Sequence, residues 1–296
     1  MQLIAYILIY PFFWLVSILP FRLLYAFSDF IYLFIYGIFG YRKTVVQENL
    51  RLVFPEKSSE EINTITKKFY HHLCDMVVES MKSMTISEAE MKKRYAFTNV
   101  EVLQELEKQN RSIIIMCGHY ASWEWIFILQ TYISHKGFGV YKRLSNKYFD
   151  RLIKRIRARY NSHLITTKET IVTLKASHAK NELTITGFVA DQSPKLDKAH
   201  HWNNFMGITV PIHTGAEMLA KQLDMAVVFF DVRKVKRGYY ETTFKTIAEH
   251  PNEFENYEIT DIFKDFVEQQ IKEQPEYYLW THKRWKHRNN VPAKFL

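Results

Sequence analysis

The chain has 296 residues, enough for one large domain or two small ones around a substantial core. Its formal charge of +9 favours anionic partners, so a membrane surface, a nucleic acid and an acidic carrier protein all stay open. Cys74 and Cys117, far apart, exclude a disulfide scaffold and favour a reducing cytosol, and no C-x-x-C or H-E-x-x-H pattern supports a zinc site.

Aromatic residues make up 16% of the chain, and many fall in the first forty positions. Positions 3–19 are apolar and almost uncharged, broken only by Pro11, at the short limit of a bilayer span. A second apolar run at 23–39 carries only Asp29 and then meets Arg42 and Lys43. Neither a basic start nor a small-residue cleavage site marks a signal peptide. The pattern predicts one spanning or deeply embedded helix followed by an interfacial one. Tyr6, Tyr10, Trp14, Tyr25, Tyr32 and Tyr36 would sit at headgroup level, with Arg42 and Lys43 on the cytoplasmic side. Two buried core helices are the competing reading. Residues 1–40 are therefore expected to be a membrane anchor with interfacial helices, and residues 41–296 a single folded domain.

Helical patterns follow at 43–52, stopped by Phe54-Pro55, and from Ser58 to about Met84, where Ser58 and Glu61 form a capping box. Ser87 with Glu90 repeats that signal for a short helix. Strands are predicted at 94–98, 113–117, 138–142, 183–190, 225–232 and 239–247, the last two joined through Arg237-Gly238. Helices are predicted at 101–108, 123–134, 147–160, 169–178, 214–223 and 260–273. This alternation defines an α/β fold: a mostly parallel central sheet flanked by helices, with an N-terminal membrane-embedded helix.

The chemistry concentrates after strand 113–117. His119 follows Gly118 directly, and Glu124 opens the next apolar run five positions on. In one continuous helix that spacing would turn the two side chains about 140° apart. They converge only if His119 sits in the turn and Glu124 in the first helical turn. An imidazole and a carboxylate then stand at the carboxyl end of a buried strand, where open α/β sheets carry their sites. The pair suits a general base held by an acid partner. The plainer alternative is a turn histidine and a glutamate complementing a helix dipole.

Asp191 and Gln192 follow strand 183–190 at the same sheet edge; Asp191 would bind a substrate, fix Arg157 or bond its own backbone. Helix 147–160 lines up Phe149, Leu152, Ile153, Ile156 and Tyr160, with Arg157 and Arg159 flanking that stripe. Arg157 is the candidate to fork a phosphate, against the alternative of a solvated basic face. Tyr141, Lys142 and Arg143 end another strand and are expected at the same rim. Thr214 and Gly215 open a helix, either as a plain N-cap or as an anion site. The pairs His71-His72 and His200-His201 lack metal spacing and read as surface residues.

Gly118-His119 with Glu124 resembles the signature of the lysophospholipid acyltransferase superfamily. More narrowly, the whole chain resembles the bacterial lipid A (late) acyltransferases, the lauroyl- and myristoyltransferases. Asn49-Leu-Arg-Leu-Val-Phe-Pro55 is similar to the family's N-L-x-x-x-F-P segment, and Val140-Tyr141-Lys-Arg143 with Arg157-Ala-Arg159 to its V-Y-R…R block. Ala190-Asp191-Gln192, Phe205-Met-Gly207 through Thr214-Gly215, and Tyr278-Leu-Trp280-Thr-His282-Lys-Arg284-Trp285 complete the series in order. The sequence departs from that pattern at Lys142-Arg143-Leu144, where the family has Arg then Pro, and at Asn161, where it has Gly.

The resemblance implies an acyltransferase domain at 41–296 on the cytoplasmic side of the bacterial inner membrane. It implies transfer of a fatty acyl chain from acyl carrier protein or acyl-CoA to a hydroxyl of a lipid A precursor. His119 would be the base and Glu124 the carboxylate orienting its ring, with no metal, no further cofactor and no acyl-enzyme. Arg157, Asp191, Gln192, Tyr141, Arg143 and Arg159 would bind substrate. A lysophospholipid, aminolipid or pigment alcohol as acceptor, and an idle lipid-binding membrane protein, are the alternatives. Nucleic acid is disfavoured, because a polynucleotide binder has no use for an apolar first forty residues. The C-terminal block is expected to pack the tail onto the domain.

Overall fold

The structure is a computed structural model and describes residues 1–295. Helices α1 (Gln2–Ile18) and α2 (Phe21–Tyr32) are followed by a π-helical turn at Leu33–Ile38. Phe21–Ile38 is, among the described residues, the one helical stretch long and apolar enough to cross a bilayer, with a mean hydropathy of 1.4. The second apolar run thus meets the spanning criterion and the first falls just short, the reverse of the order expected from the sequence. Leu3, Ile4, Leu8, Phe12 and Leu15 of α1 are exposed, as are Leu23, Phe30, Leu33 and Ile38 beyond it. An apolar surface of this extent on one side of a fold is a membrane or partner surface.

The opposite sides of these helices are packed. Val16 and Leu24 are buried with Val78 of α4 (Ser59–Lys82), which follows α3 (Lys43–Val53). The Ser58 capping box at the start of α4 forms as predicted. Tyr25 donates to Glu79 at 2.8 Å, Ser28 to Asp75 at 2.8 Å, and Arg237 reaches both Asp29 and Asp75. Asp75 and Glu79 are buried, so these bonds satisfy carboxylates that would otherwise stand unpaired in the interior. His72, read from sequence as a surface residue, lies in this cluster 3% exposed. On this side α1 and α2 pack against α4.

The rest of the chain alternates as expected in the main, with one short strand and one hairpin added and 3₁₀ in place of the helix expected at 123–134. Helix α5 (Glu88–Arg94), β1 (Tyr95–Phe97), α6 (Glu101–Lys108) and β2 (Ile113–Cys117) come first. A 3₁₀ segment at Glu124–Thr131, β3 (Lys136–Tyr141), α7 (Lys147–Arg157), β4 (His163–Thr166), α8 (Thr170–Ala179) and β5 (Thr184–Val189) follow. A hairpin of β6 (His201–Phe205) and β7 (Ile208–Ile212), then α9 (Gly215–Leu223), β8 (Ala226–Lys236), β9 (Tyr239–Ala248) and α10 (Glu258–Glu273) complete it. Seven strands form one sheet in the order β1-β9-β8-β2-β5-β3-β4. Every pairing is parallel except β8–β9, the hairpin turned by Gly238 at φ 74°.

Two strands at the centre fix the site. β2 is buried at all five positions, as a strand covered on both faces must be. It pairs in parallel with β5, with Cys117 opposite Val189 and the Ala190 N–H donating to the Cys117 carbonyl at 3.1 Å. The residues two positions beyond that pair are His119 and Asp191. Parallel register therefore delivers them side by side at the carboxyl edge.

Candidate active site

His119 leaves β2 on a loop, and its Nδ1 lies 2.6 Å from Asp191 Oδ1. Asp191 is buried, while the imidazole keeps a fifth of its surface, so the ring is the accessible member of the pair. An ionised carboxylate only accepts, which makes Nδ1 the protonated nitrogen and frees the Nε2 lone pair. That lone pair faces the Gln192 amide nitrogen at 3.3 Å. Burial alone would push the imidazole down, but the charge and hydrogen bond of Asp191, with a smaller pull from Glu124, raise it above the usual histidine value. Burial likewise works against the Asp191 carboxylate, yet His119 and neighbouring backbone N–H groups hold it below the usual aspartate value. Trp123 packs edge-on against the ring at 5.2 Å.

The sequence reading gave Glu124 the task of orienting this ring. The structure gives that contact to Asp191. Glu124 does begin a helical turn, as expected, but its carboxylate is forked by Arg157, from Nε at 3.0 Å and Nη2 at 2.7 Å. The reason is geometric: the loop between His119 and Glu124 and the 3₁₀ start turn the glutamate toward α7, whereas strand register places Asp191 directly beside the imidazole. Asp191 accordingly fixes His119 and not Arg157. Among the described residues Nη1 of Arg157 makes no hydrogen bond.

Glu124 and Arg157, with Ser80 and Ser83, are the polar lining of a mostly apolar cavity of about 200 Å³, whose other walls are Met91, Trp125, Phe127, Ile153, Ile156 and Tyr160. Ile153, Ile156 and Tyr160 of the stripe predicted on helix 147–160 thus face this cavity, while Phe149 packs on Tyr6 and Phe13 of α1. That helix is shorter than expected, ending at Arg157 and continuing as a 3₁₀ turn to Tyr160.

Three other candidates fall outside the cluster. Tyr141 is buried and its hydroxyl bonds Asp150 at 3.2 Å, which clamps β3 to α7. Arg143 lies 3.9 Å from the same Asp150 with its side chain largely in solvent. Arg159 donates to the Ser83 carbonyl at 3.4 Å and lies over the Tyr160 ring. Thr214 occupies the N-cap position of α9 without capping it; its hydroxyl turns to the Met218 sulfur at 3.9 Å. His201 bonds Asp261 at 2.8 Å, away from the sheet edge.

Sequence reasoning kept one neighbour at arm's length. His282 accepts from the Ser193 N–H at 3.4 Å, just past Asp191 and Gln192. The charges of Asp191 and His119 both act on it. Its block resembles the family's C-terminal motif in sequence, and packing of the tail is the reading favoured there over a direct role in the site.

A histidine bonded to a buried carboxylate at the carboxyl edge of a mostly parallel sheet is the arrangement of an enzyme site suited to acid–base chemistry. A sequence model described as bacterial lipid A biosynthesis acyltransferase matches residues 2–287, and the chain belongs to that family. It is 24% identical over 292 residues to the lipid A biosynthesis lauroyltransferase of Escherichia coli, covering 95% of this chain and 92% of that protein. It is 23% identical over 251 residues to the lipid A biosynthesis palmitoleoyltransferase of the same organism, covering 83% and 79%. A lipid A biosynthesis acyltransferase of Haemophilus influenzae is 23% identical over 258 residues, covering 83% and 78%.

Proposed function

We propose that the protein transfers a fatty acyl chain from an acyl thioester to a hydroxyl of a lipid A precursor, with His119 as base and Asp191 as the carboxylate that orients it. The observation carrying this reading is the 2.6 Å His119–Asp191 contact with Nε2 turned outward. An acceptor hydroxyl takes the place of the Gln192 amide at Nε2. His119 removes its proton as the oxygen attacks the thioester carbonyl carbon, and Asp191 stabilises the imidazolium that forms. The tetrahedral intermediate collapses, the C–S bond breaks, and the leaving thiolate recovers the proton from His119. Substrates carry every other bond change, so neither a metal nor an acyl-enzyme is needed.

The apolar cavity at Glu124 and Arg157 accepts the acyl chain in this reading, and Arg157 Nη1 meets an anionic oxygen of the substrates. Glu124 is then a positioning residue that fixes the Arg157 fork. The charge of +9 fits an anionic acyl donor, an acidic acyl carrier protein or acyl-CoA. The apolar outer sides of α1 and α2 support a membrane lipid acceptor, with residues 1–40 as the embedded part.

The test is transfer itself. Membranes containing the protein, given acyl carrier protein thioester and a lipid A precursor, gain one acyl chain by mass spectrometry. His119→Ala membranes gain none. Equal transfer by His119→Ala would refute the assignment.

A further inference from the structure

The segment from Tyr277 to Trp285 touches both loops that carry His119 and Asp191, and the reaction above leaves it without a task. The Leu279 N–H donates to the His119 carbonyl at 3.0 Å, and the Tyr277 carbonyl accepts from Ala121 N–H at 3.0 Å. Tyr120 and Tyr278 pair as an isolated antiparallel bridge. On the other loop, His282 Nε2 accepts from the Ser193 N–H, and Arg284 donates from Nη1 to the Ser193 hydroxyl at 3.3 Å. One strap thus grips the base and its carboxylate partner at once.

The strap is itself held rigidly. Asn49 uses its amide to donate to the carbonyls of Trp280 and His282, both at 2.9 Å, and Arg42 donates to the Thr281 carbonyl at 2.9 Å. Trp280, Arg284 and Trp285 are each at most 1% exposed, and the two indoles stack at 5.9 Å. The loop it restrains is strained: Ala121 sits at φ 45°, a left-handed conformation that costs a side-chain-bearing residue ~1–2 kcal/mol and persists only where neighbours impose it.

We infer that this C-terminal strap is the positioning element of the active site and that His282 is its key positioning residue, holding the Asp191 loop against His119 through the Ser193 amide. The inference rests on the acyl-transfer reading. Hydrogen bonding to Ser193 requires a neutral ring with its Nε2 lone pair free. Burial, aided by the charges of Lys286 and Arg284 against the pull of Asp191, takes His282 down to about 4, so it carries no charge where the enzyme works. The same block explains Asn49, whose segment stood out in the sequence without a function: it clamps the strap from α3.

The test compares full-length wild type, His282→Leu and His282→Gln in membranes, using acyl carrier protein thioester and lipid A precursor. Misplacing a catalytic group by about an ångström costs roughly 10²-fold. His282→Leu is expected to lose about that much in kcat, with KM and melting temperature unchanged. His282→Gln, which restores an acceptor for the Ser193 N–H, is expected to recover most of the turnover. An inactive wild type would sink the acyl-transfer reading; an active one with undiminished His282→Leu turnover would overturn the strap inference alone. Should His282→Leu melt early, Asn49→Ala decides: a fall in kcat at constant KM supports the strap, and unchanged kcat overturns it.

Discussion

Replacing Asp191 with asparagine separates the two carboxylates that compete as partner of the His119 ring. In the wild type, Nδ1 and Oδ1 stand 2.6 Å apart, with the aspartate buried and the ring partly so. An opposite charge at such range moves a pKa by ~1–3 units, or ~1.4–4 kcal/mol. The same energy stabilises the imidazolium in the transition state, so its loss costs ~10–10³-fold in kcat. Loss of tautomer control takes the fall toward ~10⁴-fold. The pH profile is more diagnostic than the rate. Burial would lower the ring's pKa, and Asp191 is the main influence that reverses this, with Glu124 contributing less. Without Asp191, burial prevails and the acid limb of kcat/KM moves to lower pH. Glu124→Gln moves it less, although it weakens the Arg157 fork. The assay is acyl transfer in membranes from about pH 5 to pH 9, bracketing the histidine range. A stationary limb in Asp191→Asn, or a larger shift in Glu124→Gln, would refute the reasoning.

The same ion pair sets a stability window. The raised His119 pKa contributes stability that is present below its unfolded value and lost as pH rises through the folded one. The depressed Asp191 pKa contributes stability present above its unfolded value and lost as pH falls through the folded one. The wild-type advantage over Asp191→Asn in chemical denaturation is therefore widest between about pH 4 and pH 6.5. Arg157→Ala should cost about 1 kcal/mol or less in stability, since both partners are partly exposed, while kcat/KM falls; equal kinetics would remove Arg157 from the site. Deleting residues 1–40 removes the Tyr25 and Ser28 hydroxyls from buried Glu79 and Asp75, at ~1–3 kcal/mol each, and uncovers the apolar side of α4, so gel filtration should find aggregate and not a soluble enzyme. Glu217→Ala removes the acceptor of the Tyr257 N–H, the Thr260 N–H and the Thr260 hydroxyl at the start of α10; urea unfolding should show a loss of at least ~3 kcal/mol.

Where local chemistry decides structure, the residues declared it. The β-branched run Ile113–Cys117 and the amphipathic Glu101–Lys108 have the boundaries read from their periodicity, and the Ser58 capping box does what its spacing promised. β4 was missed because four residues at a sheet edge, opened by an exposed His163, are too short for a period to register. The β6–β7 hairpin was missed because Pro211 and two adjacent asparagines mask its alternation. Its turn, Met206 and Gly207 with both φ positive, is nonetheless one that glycine advertises.

The site divides along the same line. That His119 and Asp191 share one sheet edge follows from parallel strands, which sequence can indicate. Which carboxylate binds the imidazole cannot be read from spacing, because proximity in sequence favours Glu124 while strand register favours Asp191. Two residues past paired Cys117 and Val189, the backbone itself brings Asp191 to the ring. Glu124 is left for Arg157, whose place in space depends on how α7 lies across the 3₁₀ segment and not on any local pattern. The motif H-x4-E therefore marks two adjoining devices, a histidine held by one carboxylate and an arginine held by another. Exchanging the carboxylates' roles would require the loop from His119 to Glu124 to tighten against the Ala121 backbone that the C-terminal strap already holds.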